Sequence, residues 1–334
     1  MAKRDVVVIG ASSGGLEAVS TVLAGLPEGL AASVFVVVHT APSAPGVLAD
    51  ILSRRTSLRV KSAAHGEGLE YGTAYIAGPD HHLMLTDGQV SVVRGPKENR
   101  HRPSVDVLFR SAAHTHGARV IAVVLSGNLD DGSAGLWSVK SHGGITIAQD
   151  PEDALFPDMP ANAIKYSSVD HVERLDGISS LIVQLTKNGA EAMTNPHDRK
   201  EPAQEIRTSE SALTDTPDAR ELGTPSFFTC PSCSGTLWEY TEGELVRYRC
   251  RVGHAFSIES MQAEQADALE RAMWVAIRTL DERADLLRRL AEQTAGGTRH
   301  VHGHFEERRK DAEETAKVLR DVVKSFRDVD SSHE

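Results

Sequence analysis

Residues 6–15 read Val-Val-Val-Ile-Gly-Ala-Ser-Ser-Gly-Gly, an apolar strand that runs into a glycine-flanked serine and then into a helical stretch. Residues 10–14 fit the G-x-S-x-G nucleophile elbow, in which small neighbours permit a sharp turn that exposes the central serine. Ser12 is therefore a candidate nucleophile. The alternative is a phosphate cradle, because backbone N–H groups and the helix dipole attract anions at a helix N-terminus.

A serine nucleophile needs an imidazole base and a carboxylate that orients the imidazole. The apolar run 34–38 ends in His39, and the run 120–125 leads into a loop that contains Asp130 and Asp131. Because open α/β sheets place their sites at the carboxyl ends of strands, these residues and Ser12 are predicted to meet there. The alternative for a histidine after a strand is an ordinary polar surface residue.

Composition excludes some classes of function. The 334 residues are enough for two domains, and their net charge of -11 disfavours nonspecific binding to nucleic acids or anionic membranes. The first residues show no charged-then-apolar leader, and no apolar run reaches the roughly 18 residues that span a bilayer. We therefore expect a cytoplasmic protein with no nucleic-acid partner and no membrane insertion.

The fold class follows from the alternation of strand-like and helical stretches between about residues 5 and 185. This alternation predicts an α/β fold with a doubly wound, mostly parallel sheet and one β-hairpin excursion around 82–93. The polar stretch from about Thr194 to Pro225 has the composition of a linker. The predicted domains are a catalytic domain, a flexible linker, a zinc-ribbon-like module and a helical hairpin, at 1–190, 191–225, 226–256 and 257–334.

The three cysteines of the chain all lie in one short region and are accompanied by a histidine. Cys230 and Cys233 form a C-x-x-C pair, and Cys250 and His254 follow after a hairpin-like segment. Two thiolates from one turn and a second pair of ligands can complete a tetrahedron around zinc. A structural zinc site is predicted; the alternative is a metal-free module with buried thiols. A thioredoxin-like role is disfavoured because no βαβ pattern surrounds the motif.

Beyond residue 257 the sequence has strong helical periodicity with apolar residues at heptad-like spacing on both sides of Gly296-Gly297. Two helices joined by this glycine turn are predicted to pack as an antiparallel hairpin. We expect residues 257–330 to bind a helical partner or to self-associate.

The first 190 or so residues resemble the catalytic domain of the CheB-type protein-glutamate methylesterases, which act on chemotaxis receptors. The resemblance is carried by motifs that occur in the family's order and cover most of this domain. They are Ile9-Gly-Ala-Ser-Ser-Gly-Gly15, Val38-His39, Tyr75-Ile-Ala77 with Pro79 and His82, Asn99-Arg-His-Arg-Pro-Ser-Val-Asp-Val-Leu-Phe109, Leu125-Ser-Gly127 with Asp131-Gly132, and Ile147-Ala-Gln149 with Met159-Pro160.

This resemblance implies Ser12 as nucleophile, His39 as general base and then acid, and Asp131 as the orienting carboxylate. Asp130 is the rival to Asp131, and the family pattern favours the aspartate directly before glycine. The chemistry needs no cofactor, so any zinc is expected to be structural. Members of the family in chemotaxis usually begin with a receiver domain, and we expect none here because the first strand starts near residue 5.

The substrate and oxyanion loop is predicted to include Ser13, Gly127, Asn128 and Leu129, with backbone amides as oxyanion donors. Arg100 and Arg102 are candidates for recognising an acidic helical surface, because guanidinium groups pair with carboxylates; the alternative is a structural role. Where the family loop commonly reads Gly-Met-Gly-Asn-Asp-Gly, residues 127–132 read Gly-Asn-Leu-Asp-Asp-Gly, which changes the loop beside the candidate triad.

The predicted activity is that of a carboxylic ester hydrolase. Its expected reaction is hydrolysis of γ-glutamyl methyl esters, extended to glutamine deamidation, on a methylated chemoreceptor-like or other signalling protein. The alternative is a catalytically weak regulatory adaptor in bacterial signal transduction, which would bind partners through its zinc module and helical hairpin. A third hypothesis, nucleotide binding at residues 10–15, is disfavoured because the Lys-Ser/Thr ending of a P-loop is missing.

Overall fold

The structure of the protein is a computed structural model that describes residues 2–86, 88–187, 189–190, 223–294 and 299–330. Most of the predicted linker at 191–225 lies outside the described residues. The chain forms two compact units, Met1–Met261 and Gln262–Glu334. Among the described helices, none combines the length and the apolar character that crossing a membrane requires.

The first unit contains a seven-stranded sheet in which all neighbouring strands are parallel. Its order is β10-β9-β8-β2-β3-β5-β4. The strands are β2 (Val6–Ala11), β3 (Ser33–Val38), β4 (Arg59–Ser62), β5 (Thr73–Ile76), β8 (Val120–Val124), β9 (Ile145–Gln149) and β10 (His171–Glu173). The α/β fold with a mostly parallel sheet is thus as predicted. The carboxyl end of β2 lies at a topological switch point, because one crossover connection leads to β3 on one side of β2 and a later one leads to β8 on the other side.

Helices cover both faces of this sheet. They are α1 (Gly15–Ala24), α2 (Leu48–Ser53), α3 (Val105–His116), α4 (Ser133–Ser141), α5 (Asp158–Ser167) and α6 (Leu175–Lys187), with a 3₁₀ turn at Gly117–Arg119. Along β2, Val7 and Ile9 belong to the apolar cluster that includes α1, α2 and α6, whereas Val6 and Val8 belong to the cluster of α3, α4 and α5. The continuous apolar run is therefore a strand buried on both faces, as a parallel sheet requires.

The antiparallel excursion consists of β6 (His82–Thr86) and β7 (Gln89–Val93). The turn residue Asp87 is outside the described residues, and Gly88 has a φ of 77° that suits a tight turn. A further two-stranded pair joins β1 (Ala2–Lys3) to β11 (Gly189–Ala190).

The first unit also contains a four-stranded antiparallel sheet, which together with the first residues of the helix that follows it we call the Cys3His module (residues 223–261). Its strands are β12 (Thr224–Thr229), β13 (Thr236–Glu242), β14 (Leu245–Cys250) and β15 (Ala255–Ser257). Its buried core is small and consists of Cys230, Leu237, Tyr248, Cys250, Phe256 and Met261. The long helix α7 (Ile258–Gln293) begins directly after β15.

The second unit contains the rest of α7 and the helix α8 (Arg299–Asp330). The two helices run antiparallel, since Asp281 pairs with Arg320 while the Ala291 carbonyl lies 2.9 Å from His302 Nδ1. Four apolar residues at heptad-like spacing in α7 are buried: Ile277, Ala284, Leu287 and Ala291.

Candidate functional site

The carboxyl edge of the sheet brings the predicted site residues to neighbouring positions. Ser12 follows β2 and His39 follows β3, and the register pairs Ala11 with Val38 directly before them. The backbone N–H of His39 also donates to the Ala11 carbonyl at 3.1 Å. Asp131 lies in the loop after β8, which flanks β2 on the other side. Because neighbouring strands are about 4.8 Å apart, the three residues lie within reach of one another.

His39 and Asp131 are joined by a direct hydrogen bond. The distance between His39 Nε2 and Asp131 Oδ2 is 2.8 Å, and the two side chains are 5% and 2% exposed. The other ring nitrogen, His39 Nδ1, is buried without a hydrogen-bond partner in the described part of the chain. No hydrogen bond joins Ser12 to His39 among the described residues. Nδ1 is therefore the ring nitrogen that can accept a proton from a nearby hydroxyl.

Asp131 is fixed from several directions by the first turn of α3. Its Oδ2 accepts the N–H of Val105 at 2.7 Å, and its Oδ1 accepts the N–H of Asp106 at 3.1 Å and the Ser104 hydroxyl at 2.9 Å. Burial by itself raises the pKa of Asp131, but the hydrogen bond and charge of His39 outweigh it and hold the pKa well below the usual range. A helix N-terminus favours an anion in the same way, so Asp131 remains ionised.

Asp106 mirrors this arrangement at the start of α4. Its Oδ1 accepts the N–H groups of Gly132 and Gly135 at 2.9 and 2.7 Å. The side-chain amide of Asn99 donates to both carboxylates, at 2.7 Å to Asp106 Oδ2 and 2.9 Å to Asp131 Oδ1. Asp131 thus caps the N-terminus of α3, Asp106 caps the N-terminus of α4, and Asn99 is hydrogen-bonded to both aspartates.

A second imidazole lies on His39. The rings of His101 and His39 stack at 3.6 Å between centroids with an angle of 9° between planes. Burial lowers the pKa of His101 to about 3, with the nearby His39 adding to the effect. His101 is therefore neutral at physiological pH and packs against the His39 ring without charge repulsion. The sequence predicted roles for the arginines on either side of His101 but none for His101 itself.

Asp130, the rival of Asp131, faces a different partner. Its Oδ1 accepts the Ser257 hydroxyl at 2.8 Å. Burial raises the pKa of Asp130 to about 7, although the hydrogen bond from Ser257 opposes the shift. The pKa values of these two consecutive aspartates are therefore shifted in opposite directions, and Asp131, directly before Gly132, is the one bonded to His39.

The elbow and the loop after β8 are bonded to each other. The N–H of Ser12 donates to the Ser126 carbonyl at 3.0 Å, and the Asn128 side-chain amide donates to the Ser13 hydroxyl at 3.1 Å. A Cβ on Gly127 would lie 2.7 Å from Ser12 Cβ, so only glycine permits this approach. The Gly127 N–H itself donates to the Phe156 carbonyl at 2.9 Å, which removes it from the candidate oxyanion donors.

Leu129 adopts a positive φ of 63°, a conformation that favours glycine. Its carbonyl accepts the Asn162 side-chain amide at 2.9 Å. The departure from the family loop at this position therefore places a leucine in a backbone conformation that costs about 1 kcal/mol or more.

The two candidate substrate arginines differ. Arg102 Nε donates to Asp80 Oδ1 at 2.9 Å, and the Arg102 guanidinium also donates to the Gly95 carbonyl. These contacts match the structural alternative for Arg102. Arg100 is half-buried and has a φ of 74°, and it follows Asn99, whose φ is 48°. This left-handed turn directs the chain so that Asn99 reaches the two aspartates.

The four predicted metal ligands lie together at one end of the Cys3His module. Their ligand atoms are all within 4.8 Å of one another. Cys230 Sγ and Cys250 Sγ lie 3.7 and 3.6 Å from His254 Nδ1, and Cys233 Sγ lies 3.6 Å from Cys250 Sγ. Zinc–sulfur bonds of about 2.3 Å in a tetrahedron give sulfur–sulfur separations of about 3.8 Å, so the group fits a metal of this kind. The hydrogen bond from Cys230, together with His254, lowers the pKa of Cys250 and favours its thiolate, whereas the same hydrogen bond raises the pKa of Cys230.

The site has one further charged group that sequence analysis missed. Arg247 of β14 is 1% exposed and donates to Asp106 Oδ2 at 2.8 Å and to Glu98 Oε1 at 2.6 Å. Glu98 also accepts two hydrogen bonds from Arg110, at 2.7 and 2.8 Å. In β14, Arg247 and Arg249 alternate with the apolar residues Val246, Tyr248 and Cys250, so the period-2 pattern by itself predicts that the two arginines face solvent.

A doubly wound sheet that carries a serine, a histidine and a buried aspartate at its carboxyl edge is typical of hydrolases with a serine nucleophile. The sequence profile of the CheB methylesterase family matches residues 7–182. The chain therefore belongs to the CheB methylesterase family and is a carboxylic ester hydrolase.

Individual relatives agree with this assignment. The putative protein-glutamate methylesterase/protein-glutamine glutaminase of Leptospira interrogans is 35% identical over 188 residues, which are 56% of this chain and 97% of that protein. The protein-glutamate methylesterase/protein-glutamine glutaminase of Photorhabdus laumondii is 38% identical over 193 residues, which are 57% of this chain and 55% of that protein. The crystal structure of the Thermotoga maritima CheB methylesterase catalytic domain matches with a TM-score of 0.52 and 34% identity, covering 55% of this chain and 99% of that one.

Proposed function

We propose that this protein hydrolyses γ-glutamyl methyl esters on a methylated signalling protein, with Ser12 as nucleophile, His39 as base and Asp131 as orienting carboxylate. The observation that supports this most is the His39 ring, which is bonded to Asp131 through Nε2 while Nδ1 is buried without a partner in the described residues. Ser12 directly follows Ala11, which is paired with Val38, the residue before His39. The relay requires the Ser12 hydroxyl to donate a hydrogen bond to Nδ1.

In the first half-reaction, His39 Nδ1 accepts the Ser12 proton as Oγ attacks the ester carbonyl, and Asp131 stabilises the imidazolium. The tetrahedral oxyanion is stabilised by backbone N–H donors, for which we propose the start of the elbow helix and the Asn128-Leu129 segment. His39 then returns the proton to the leaving methoxide, and methanol departs. Water, activated by the same imidazole, hydrolyses the glutamyl–serine ester and regenerates the enzyme.

Glutamine deamidation uses the same steps, with ammonia leaving in place of methanol. The relatives are named as both methylesterases and glutaminases, which supports including both activities in the proposal. The amide has the poorer leaving group, so we expect deamidation to be the slower reaction. We propose a methylated chemoreceptor-like coiled coil as the substrate.

The test is methanol release from a methylated chemoreceptor preparation, combined with labelling by a serine-directed fluorophosphonate. We expect release of methanol by the wild-type chain and a single adduct that peptide mass spectrometry maps to Ser12. Ser53→Ala, at an exposed serine of α2, is the matched control and should retain both properties. Absence of methanol release together with absence of the adduct would favour a non-catalytic adaptor.

We also propose that Cys230, Cys233, Cys250 and His254 hold a structural zinc ion. The metal would supply only the cross-link that fixes the two ligand-bearing turns, because all four positions are taken by protein ligands and none is open for substrate. Metal analysis of the purified chain should give about one zinc per protein. Retention of zinc by Cys250→Ser would contradict the assignment.

A further inference from the structure

The Cys3His module inserts a buried cation among the carboxylates that stand behind the candidate catalytic aspartate. Arg247 donates to Asp106 and Glu98, which are 0% and 2% exposed. Asp106 in turn shares the Asn99 amide with Asp131. The path of hydrogen bonds from Arg247 to Asp131, which is bonded to His39, therefore passes through two side chains, Asp106 and Asn99.

The charge of Arg247 is needed because these carboxylates are close to one another and out of water. Burial raises the pKa of Asp106, the charge of Arg247 opposes that shift, and the charges of Asp131 and Glu98 add to it. Within the seven-stranded region, Arg110 is already bonded to Glu98. A buried ion pair that loses one partner leaves an uncompensated charge, which is strongly unfavourable.

The module also holds Asn99 directly. The Asn99 N–H donates to the Ala255 carbonyl at 2.8 Å, and Asn99 Oδ1 accepts the Ser257 N–H and the Ser260 hydroxyl, both at 3.3 Å. The side-chain oxygen of Asn99 therefore accepts hydrogen bonds from the module, and its side-chain nitrogen donates hydrogen bonds to the two aspartates. Its orientation depends on both sets of contacts.

The metal ligands border both of these contacts. Arg247 lies three residues before Cys250, and Ala255 follows His254 directly. The module buries only six core residues, two of which are themselves cysteine ligands. Sequences of this size usually need a metal to fold, because ligand binding supplies the free energy that a small core lacks.

We propose that Arg247 is a positioning residue for Asp131, and that metal binding by the Cys3His module holds Arg247 in its place beside the catalytic centre. The metal ion thereby controls turnover without contacting the substrate. The statement about turnover rests on the proposed esterase function, whereas the statement about positioning does not.

The first test compares hydrogen–deuterium exchange of the full chain before and after removal of the metal with a chelator. Without the metal we expect faster exchange at residues 98–106 and 130–135, where N–H groups cap onto Asp131 and Asp106. Exchange in β3 should stay unchanged, because its six residues are buried in the sheet. Unchanged exchange in both capped segments after complete metal removal would overturn the proposal.

The second test removes the cation while keeping the ligands. Arg247→Met should keep its zinc and lower kcat by about 10- to 100-fold, with KM changed by less than about threefold, since small displacements of positioned groups cost this much. Arg247→Lys should recover part of the loss. Arg278→Met is the matched control, because Arg278 is 67% exposed and lies on the helical hairpin, where it pairs with Glu282.

A third variant separates docking from metal binding. Gly243, with a φ of 62°, lies against Trp137 of α4, and a Cβ there would be 2.2 Å from Trp137 Nε1. Gly243→Val should therefore keep the zinc yet show the same faster exchange at 98–106. Gly303→Val is the control, since a Cβ at Gly303 meets no atom within 4 Å.

The outcomes separate the two proposals. Wild-type kcat in Arg247→Met, together with unchanged exchange, would overturn the positioning role while the esterase function stands. Metal-dependent exchange in a chain that releases no methanol would support the positioning role and contradict the esterase function.

Discussion

The seven-stranded region and the Cys3His module obtain their order from different interactions. The first has two large apolar clusters, one on each face of the sheet. The second has a single small cluster and four converging ligand atoms, and it meets the first through buried charges. The comparison teaches that the serine and histidine strands are packed within apolar clusters, whereas the residues around the aspartate also make hydrogen bonds and ion pairs with the smaller module.

The largest expected effect comes from removing the nucleophile. Ser12→Ala should lower kcat by about 10⁶-fold, the scale seen when a serine nucleophile is lost, because no other group can form the acyl-enzyme. Zinc content and thermal stability should remain those of the wild type. Single-turnover methanol release measures the effect, and turnover within tenfold of wild type would contradict the assignment of Ser12.

The second prediction concerns the aspartate side. Asp131→Asn should lower kcat by about 10⁴-fold, because an amide no longer fixes the imidazole tautomer or stabilises its charged form. Asp130→Asn serves as the matched neighbour, since Asp130 is bonded to Ser257 and not to His39. Steady-state kinetics of the two variants should therefore differ by several orders of magnitude, and equal losses would show that the two aspartates act together.

The third prediction disrupts the module at a ligand. Cys250→Ser should lose its zinc and lower kcat by about 10- to 100-fold, while the parallel sheet keeps its cooperative unfolding because its core contains no module residues. Metal analysis and circular dichroism during heating measure this. Ser232→Ala, an exposed change between the first two ligands, should leave zinc content and kcat unchanged.

The fourth prediction uses the raised pKa of Asp130. The pKa is about 7 in the folded protein against 3.8 in the unfolded chain, so the folded state binds more protons between these values. Stability should therefore fall as pH rises from about 4 to 7 and stay lower above 7. Asp130→Asn cannot ionise and should be more stable than wild type at pH 8 by about 1 to 3 kcal/mol.

Denaturant unfolding at pH 5 and pH 8 measures this difference. Asp50→Asn controls for the Asp-to-Asn replacement itself, because Asp50 is exposed. A wild-type chain whose stability does not decrease between pH 5 and 8 relative to Asp130→Asn would show that Asp130 stays ionised. Asp131 has the opposite sign, since its lowered pKa contributes stability that is present above pH 3.8 and is lost at more acidic pH.

The smallest expected effect is at Leu129. Leu129→Gly removes the strain of a positive φ but adds freedom to the unfolded chain, so the free energy of unfolding should change by less than about 1 kcal/mol. Chemical denaturation at neutral pH measures it. A loss above about 2 kcal/mol would show that the leucine side chain, and not the backbone conformation, determines the loop.

Local sequence patterns were sufficient to predict the parallel sheet and the positions of Ser12, His39 and Asp131 at strand ends, because strand burial and the switch point follow from local apolar runs. Helix ends are harder to predict: the periodicity after the elbow predicts a helix over Leu16–Leu26, whereas α1 spans Gly15–Ala24. Arg247 could not be assigned from sequence, since its partners Asp106 and Glu98 lie 141 and 149 residues away. The roles of Asn99 and His101 likewise depend on contacts that only the folded chain creates.

The proton of His39 tests the central claim most directly. Nitrogen-15 NMR of the histidine-labelled chain, with the His39 signal assigned by its disappearance in His39→Gln, reports which ring nitrogen is protonated. We expect the neutral ring to carry its proton on Nε2, towards Asp131, and the Nδ1 signal to shift when fluorophosphonate modifies Ser12. A proton on Nδ1 in the free enzyme, or a His39 signal unaffected by the modification, would contradict the relay.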